Sequence, residues 1–242
     1  MKEKIYTIPI NDAFDSDCEC PICEFLRTQE DHLLDYTLGA SMMEPDERII
    51  SNEKGYCNHH YRLLLHGKNQ LSLALILESH IDELCNTLEQ NARQDFSASK
   101  GLFSKNKILP ERLSEMAGQF KNSSHRCVIC DKLDAILEKF IENLFFLLKS
   151  DPEFERKFYS CKGFCIPHFA ILLEGCAKYL KNERQAEVSK KLCKMQAEHI
   201  RRIKEDVTWY TKKFDYRYEK EDWKNSRDAV PRACQKLEGY IR

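Results

Sequence analysis

The chain has 242 residues, enough for one large domain or two small ones, and 42% of them are hydrophobic, enough to fill a real core. The 32% of charged residues nearly cancel to a net charge of -1, so the whole-chain balance points to neither nucleic acid nor an acidic substrate. Twelve cysteines are many for a chain expected to be cytoplasmic, and in a reducing compartment clustered cysteines argue for metal or redox chemistry before disulfides.

The first seventeen residues, "MKEKIYTIPINDAFDSD", lack the apolar core of a secretion signal, and no stretch approaches the ~18 uninterrupted apolar residues of a membrane span. A soluble cytoplasmic protein is the expectation. "CPICEFL" (20–26) then opens an amphipathic segment in which Phe25, Leu26, Leu33, Leu34 and Leu38 recur at helical spacing. "EPDERII" begins with an acidic residue and Pro, a favoured helix start, and Gly55 is placed to stop that helix. "KGYCNHHY" (54–61) follows, then the helical run "LSLALILESHIDELCNTLEQ" (71–90). Residues 97–124 read as a connector, with a short helix near "PERLSEMAGQF".

"CVICDKL" (127–133) begins a second pass through the same series. Leu133, Ile136, Leu137, Phe140, Leu144 and Leu147 or Leu148 form a stripe at steps of three and four, the mark of an amphipathic helix. "DPEFERKF", Gly163 within "KGFCIPHF" (162–169), and a long helical run from about Glu183 to Phe214 complete it, the last with Val188, Leu192, Met195, His199, Ile203, Tyr210 and Phe214 on one face. The tail from Asp215 has no partner in the first pass, and its aromatics are expected to cap the core.

The internal repeat is a statement about fold. At an offset of 107 to 108 residues, Cys20 falls on Cys127, Cys23 on Cys130, Pro45 on Pro152, Arg48 on Arg156, Cys57 on Cys165 and His60 on His168. The expected fold is all-α: two tandem related helical units, 1–96 and 125–242, joined by the connector 97–124. Each is built round a CxxC…CxxH metal site, and the second carries a long C-terminal helix.

Two thiolates from CxxC with a thiolate and an imidazole from CxxH make a four-donor Cys₃His shell that suits structural zinc. The expected ligands are Cys20, Cys23, Cys57 and His60 in the first copy and Cys127, Cys130, Cys165 and His168 in the second, with two zinc ions per chain. His59 aligns with Pro167, which binds no metal, so His59 is expected to be solvated. The plain alternative is buried, uncharged cysteines in helical packing, which does not require the same four-residue pattern twice. An iron–sulfur cluster ranks below zinc. A redox CxxC would sit beside a βαβ pattern, which is missing, and a c-type haem would need His where Glu24 and Asp131 stand. Arg48 and Arg156 are candidates to neutralise the sites and hydrogen-bond a sulfur, or else ordinary surface charges.

The quoted stretches "CPICEFL", "DPEFER" and "KGFCIPH" resemble a family of uncharacterised bacterial and archaeal proteins grouped as a domain of unknown function. The resemblance covers both copies and extends towards "KKFDYRYEKEDW", but it implies no activity. The second copy departs from the first in having Val128 where the first has Pro21, and Cys161 where it has Glu53.

No P-loop, G-x-S-x-G, dinucleotide fingerprint or HExxH occurs, and a catalytic zinc would keep an open position. The leading expectation is a non-enzymatic zinc-binding module or scaffold for an unknown protein or small-ligand partner. A thiol-based metal handler or redox sensor using the spare Cys18 and Cys161 is second, and an enzyme third. Nucleic-acid binding through the basic segment 178–242, with 18 Lys/Arg against 11 Asp/Glu, aided by Trp209, Tyr210 and Trp223, is last.

Overall fold

A computed structural model describes residues 3–93, 109–124 and 127–240; connector residues 97–108 lie outside the described residues. The described residues are helical with no strand, as the repeat periodicity predicts. In chain order the helices are α1 (Glu3–Asp15), α2 (Pro21–Thr37), α3 (Pro45–Lys54), α4 (Asn58–Leu65), α5 (Gln70–Ala92), α6 (Leu109–Ser124), α7 (Val128–Ser150), α8 (Pro152–Ser160), α9 (Ile166–Tyr179), α10 (Asn182–Lys212) and α11 (Ala229–Glu238). Short 3₁₀ turns at Ala40–Met43 and Tyr216–Tyr218 complete the series.

The local signals act as expected at most boundaries. Pro45 and Pro152 open α3 and α8, and the Asp151 carboxylate accepts from the N–H groups of Glu153 and Phe154 at 2.9 and 3.1 Å. Gly55 ends α3 at φ 62 and ψ -156, a region essentially reserved for glycine. In the second copy the helix stops earlier, at Ser160; Cys161 is already extended, and the positive φ of 80 falls on Gly163. Helix α1 carries no clear apolar period, yet Ile10 and Phe14 are buried. Phe214, expected on the α10 stripe, lies beyond the helix end and is 73% exposed.

The compact units are cut differently from the repeat. One is Met1–Thr28 with Ile136–Arg242; the other is Gln29–Ala135. Helix length accounts for this departure from the division 1–96, 97–124 and 125–242. Helix α2, 17 residues, carries the chain about 25 Å from Cys20 and Cys23, whereas the following α3, 10 residues, covers only about 15 Å. Helices α7 and α8, with 23 and 9 residues, repeat the imbalance at about 35 and 14 Å. In neither copy does the helix after the CxxC-bearing one return the chain to its own CxxC.

In the first unit an aromatic cluster holds the core. Phe14 meets Phe154 edge-on at 5.3 Å, and Phe158 lies 5.4 Å from Phe164, the residue before Cys165. Leu144, Leu148, Leu172, Val188 and Leu192 surround it. Gly175 lets the Phe145 ring lie against α9, since a Cβ there would stand 2.2 Å from the ring. In the second unit Leu34, Leu38, Tyr56, Leu64, Leu73, Ile76 and Ile129 form the core.

Candidate metal centres

All four ligand motifs adopt one local design. Cys57 and Cys165 are the residues that precede α4 and α9, in extended conformation, and Cys20 and Cys127 stand in the same place before α2 and α7. Their carbonyls accept the first helical hydrogen bonds, from Tyr61, Phe169, Glu24 and Asp131. The second ligand, Cys23, His60, Cys130 or His168, follows three residues later on the first turn. Each motif therefore aims its donors from a helix N-terminus, where unpaired N–H groups and the dipole favour thiolate over thiol.

The eight predicted ligand residues meet, but in crossed pairs. Cys20 and Cys23 join Cys165 and His168; Cys127 and Cys130 join Cys57 and His60. The expectation of one complete shell per copy is overturned, and the helix-length imbalance is the reason. Each cluster lies inside one compact unit, the first in Met1–Thr28 with Ile136–Arg242 and the second in Gln29–Ala135. We call them site A and site B in that order.

Distances test whether these are packed thiols or a coordination shell. Zinc–sulfur bonds of about 2.3 Å and zinc–nitrogen bonds of about 2.0 Å imply tetrahedron edges of about 3.8 Å between sulfurs and about 3.5 Å from sulfur to nitrogen. In site A, Cys165 Sγ lies 3.9 Å from Cys20 Sγ and 3.6 Å from Cys23 Sγ. His168 Nδ1 lies 3.1, 3.3 and 3.5 Å from the sulfurs of Cys165, Cys23 and Cys20. In site B the Cys57–Cys130 separation is 3.9 Å, and His60 Nδ1 lies 3.2, 3.2 and 3.4 Å from Cys57, Cys127 and Cys130. Sulfurs at such distances are not disulfide-bonded, which requires about 2.05 Å, and all twelve cysteines are free.

The thiols also compete for charge. Hydrogen bonds from Cys20 and Cys23 hold the Cys165 thiol down at about 3, while the same contacts push Cys23 up. In site B burial works against the Cys127 thiolate, but His60 outweighs it and brings the thiol to about 6, whereas burial and Cys127 push Cys130 up. Burial opposes a charged His60, yet Cys127 and Glu30 raise it to about 10. Three sulfurs this close do not all ionise alone. A divalent cation at the centre would remove that conflict, and the three sulfurs and one imidazole of each cluster fit it.

The surroundings differ from the expectation for Arg48 and Arg156. Arg48 donates to the Leu75 carbonyl at 3.5 Å, Arg156 is exposed, and neither is hydrogen-bonded to a sulfur among the described residues. Other groups support the ligands. In site B the Glu30 carboxylate lies 3.2 Å from His60 Nε2, the outer side of the ligand ring, and 3.1 Å from His59 Nε2. A carboxylate behind a ligating imidazole fixes its orientation. His59 is thus exposed, as expected, but paired with Glu30.

In site A, Gln196 on α10 donates to the Phe164 carbonyl at 2.8 Å and accepts from its N–H at 3.0 Å. Lys236 on α11, 1% exposed, donates to the carbonyls of Glu19 and Lys162, the latter at 2.6 Å, and pairs with the Glu19 carboxylate at 3.2 Å. Burial would raise Glu19, but Arg202 at 2.5 Å and Lys236 hold it ionised, below the ordinary carboxylate range. Neither Gln196 nor Lys236 carries a sequence signal, because both sit among ordinary polar residues and become partners only in three dimensions.

The two departures between the copies meet at one carbonyl position. In site B the Val128 N–H donates to the Gly55 carbonyl at 3.2 Å, tying one ligand loop to the other. The aligned residue in site A is Pro21, which has no N–H, and there the Cys161 thiol reaches the Gly163 carbonyl at 3.9 Å. Burial pushes that thiol up to about 12. Cys161 is a carbonyl partner, and Cys18 is likewise pushed up by burial.

Some aromatics of the basic tail pack into the fold, whereas Phe214 and Tyr216 are 73 and 85% exposed. Trp209 Nε1 donates to the Asp222 carbonyl at 2.9 Å, Tyr210 lies 5.8 Å from Trp223, and the buried Lys213 ammonium is taken up by the carbonyls of Tyr218, Glu219 and Glu221. Among the described residues no helix is long and apolar enough to cross a membrane.

Compared with known families, the chain matches the one described as "Family of unknown function (DUF6062)" over residues 1–242. No curated protein and no solved structure matches it.

Proposed function

The chain belongs to that family of unknown function, whose description supplies no activity, and from the geometry of the two clusters we propose that it is a zinc-stabilised helical protein acting as a non-enzymatic binding or scaffold module. The observation that carries the reading is the meeting of eight cysteine and histidine side chains in two four-donor sets whose edges fit tetrahedral zinc. Four protein donors per ion leave no position for water or substrate, which supports a structural and not a catalytic metal. Zinc is preferred to an iron–sulfur cluster because the donors in each set converge on one tetrahedral centre. Thiolates must stay reduced to bind it, so the reading carries a reducing, cytoplasmic compartment. The sites hold together segments distant in sequence, 142 and 145 positions apart for the sulfurs of Cys23 and Cys20 from Cys165, so the metal fixes the fold that presents any partner surface.

The test is elemental analysis of protein purified without added metal, followed by chelation monitored by circular dichroism. About two zinc equivalents per chain, lost together with helical signal, are expected, because binding and folding are coupled in such sites. A metal-free chain that is fully helical and thermally stable overturns the reading.

A further inference from the structure

Resting on the zinc reading, we infer that site B is an exchange site, which passes its zinc to an external ligand with thiolate or nitrogen donors, while site A retains its ion. The two shells use the same donors, so any difference in release comes from their surroundings.

Site A is closed. Cys20, Cys23, Cys165 and His168 are 0, 2, 0 and 9% exposed. The end of α11 covers the sulfurs: a Cβ on Gly239 would stand 3.8 Å from Cys23 Sγ and 3.9 Å from Cys165 Sγ. Lys236, one turn earlier on the same helix, bonds the carbonyls of Glu19 and Lys162 and so ties the two ligand loops together, while its ammonium offsets the net charge of about -1 left by three thiolates on Zn²⁺. Gln196 adds two further hydrogen bonds to the Cys165 loop.

Among the described residues site B has no cover or cation of this kind, although Cys127 and His60 are each only 2% exposed. The tail that supplies α11 has no counterpart in the first copy, and Cys57 and Cys130 are both half-buried. The charge behind its ligand histidine is the Glu30 carboxylate, and the neighbouring lysines are taken: Lys54 pairs with Asp131 and Lys132 with Glu47, each at 2.6 Å. A cavity of about 830 Å³ lies along the segment that leads into Cys57, lined in part by Gly55, Tyr56, Tyr61 and His80 and by none of the four ligands. An incoming donor reaches zinc at site B through the Cys57 and Cys130 edge. At site A it must first displace the end of α11.

The experiment uses the full chain with its zinc content measured first, then mixed with the chromogenic chelator 4-(2-pyridylazo)resorcinol while iodoacetamide labels freed thiols for mass spectrometry. Two release phases of about one equivalent each are expected, the faster by about tenfold or more, the difference made by the Lys236 hydrogen bonds that tie the two ligand loops of site A together. Cys57, Cys127 and Cys130 should be alkylated with the fast phase, and Cys20, Cys23 and Cys165 with the slow one. Cys130→Ser should remove the fast equivalent alone; if it does not fold, the wild-type labelling order decides. A single phase for both equivalents, or first labelling at Cys20, Cys23 or Cys165, overturns the inference and leaves the zinc reading intact. A zinc content near zero before chelator is added overturns both.

Discussion

At the scale of the residue, the two adjacent histidines are separated by what stands beside each ring. His60 is 2% exposed with Nδ1 facing three sulfurs, whereas His59 is exposed and touches the outer carboxylate Glu30. Substituting His60→Ala or His168→Ala should each lower zinc content by about one equivalent, and His59→Ala should leave it unchanged, as read by metal analysis of the purified variants. Equal losses from His59 and His60 would show that the wrong ring is assigned. Sequence comparison between the copies sufficed for this choice, because Pro167 occupies the place of His59. It did not suffice for the supporting charge, since Arg48 and Arg156 match in sequence yet bond no sulfur among the described residues, while Lys236 and Glu30 reach their different sites from positions that no sequence pattern marks.

Among the elements, α9 and α11 show how backbone placement serves the site. Gly175 allows the Phe145 ring against α9, so Gly175→Ala should cost about 1–3 kcal/mol by overpacking. Gly118 in α6 meets nothing within 4 Å, so Gly118→Ala should instead stabilise by up to about 1 kcal/mol through helix propensity. Denaturant unfolding of the two variants distinguishes these signs. On α11, Lys236→Met removes the ammonium that ties Glu19 to Lys162. It should speed zinc release from site A by about tenfold, with release from site B unchanged; stopped-flow chelator competition reads this, and acceleration of both phases alike would mean general destabilisation. The helices themselves were legible from period and Pro/Gly punctuation, as α3, α5, α7 and α10 show. Helix α1 was not, because Pro9 and scattered polar residues blur its period although Ile10 and Phe14 reach the core.

For the whole molecule, the crossed assignment makes a prediction that a site within each copy does not. Cys20→Ser with Cys165→Ser removes two ligands of one ion, so the double variant should keep about one zinc equivalent. Cys20→Ser with Cys57→Ser strikes both ions and should leave about none. Under one shell per copy the two outcomes would be exchanged, and metal analysis of the two double variants decides between them.

What the sequence by itself determined was the helical class and which eight cysteine and histidine residues gather in clusters, because each depends on spacings of a few residues that a helix turn converts directly into geometry. Cys and His three positions apart at a helix start converge whichever partner they meet. Which pairs share a centre was decided by the tertiary structure alone, since it depends on the length of α2 against α3 and of α7 against α8, and on where the intervening chain returns. The clip of Lys236 and Gln196 at one site and the carboxylate at the other belong to the same class: they are long-range contacts between residues that no local pattern relates.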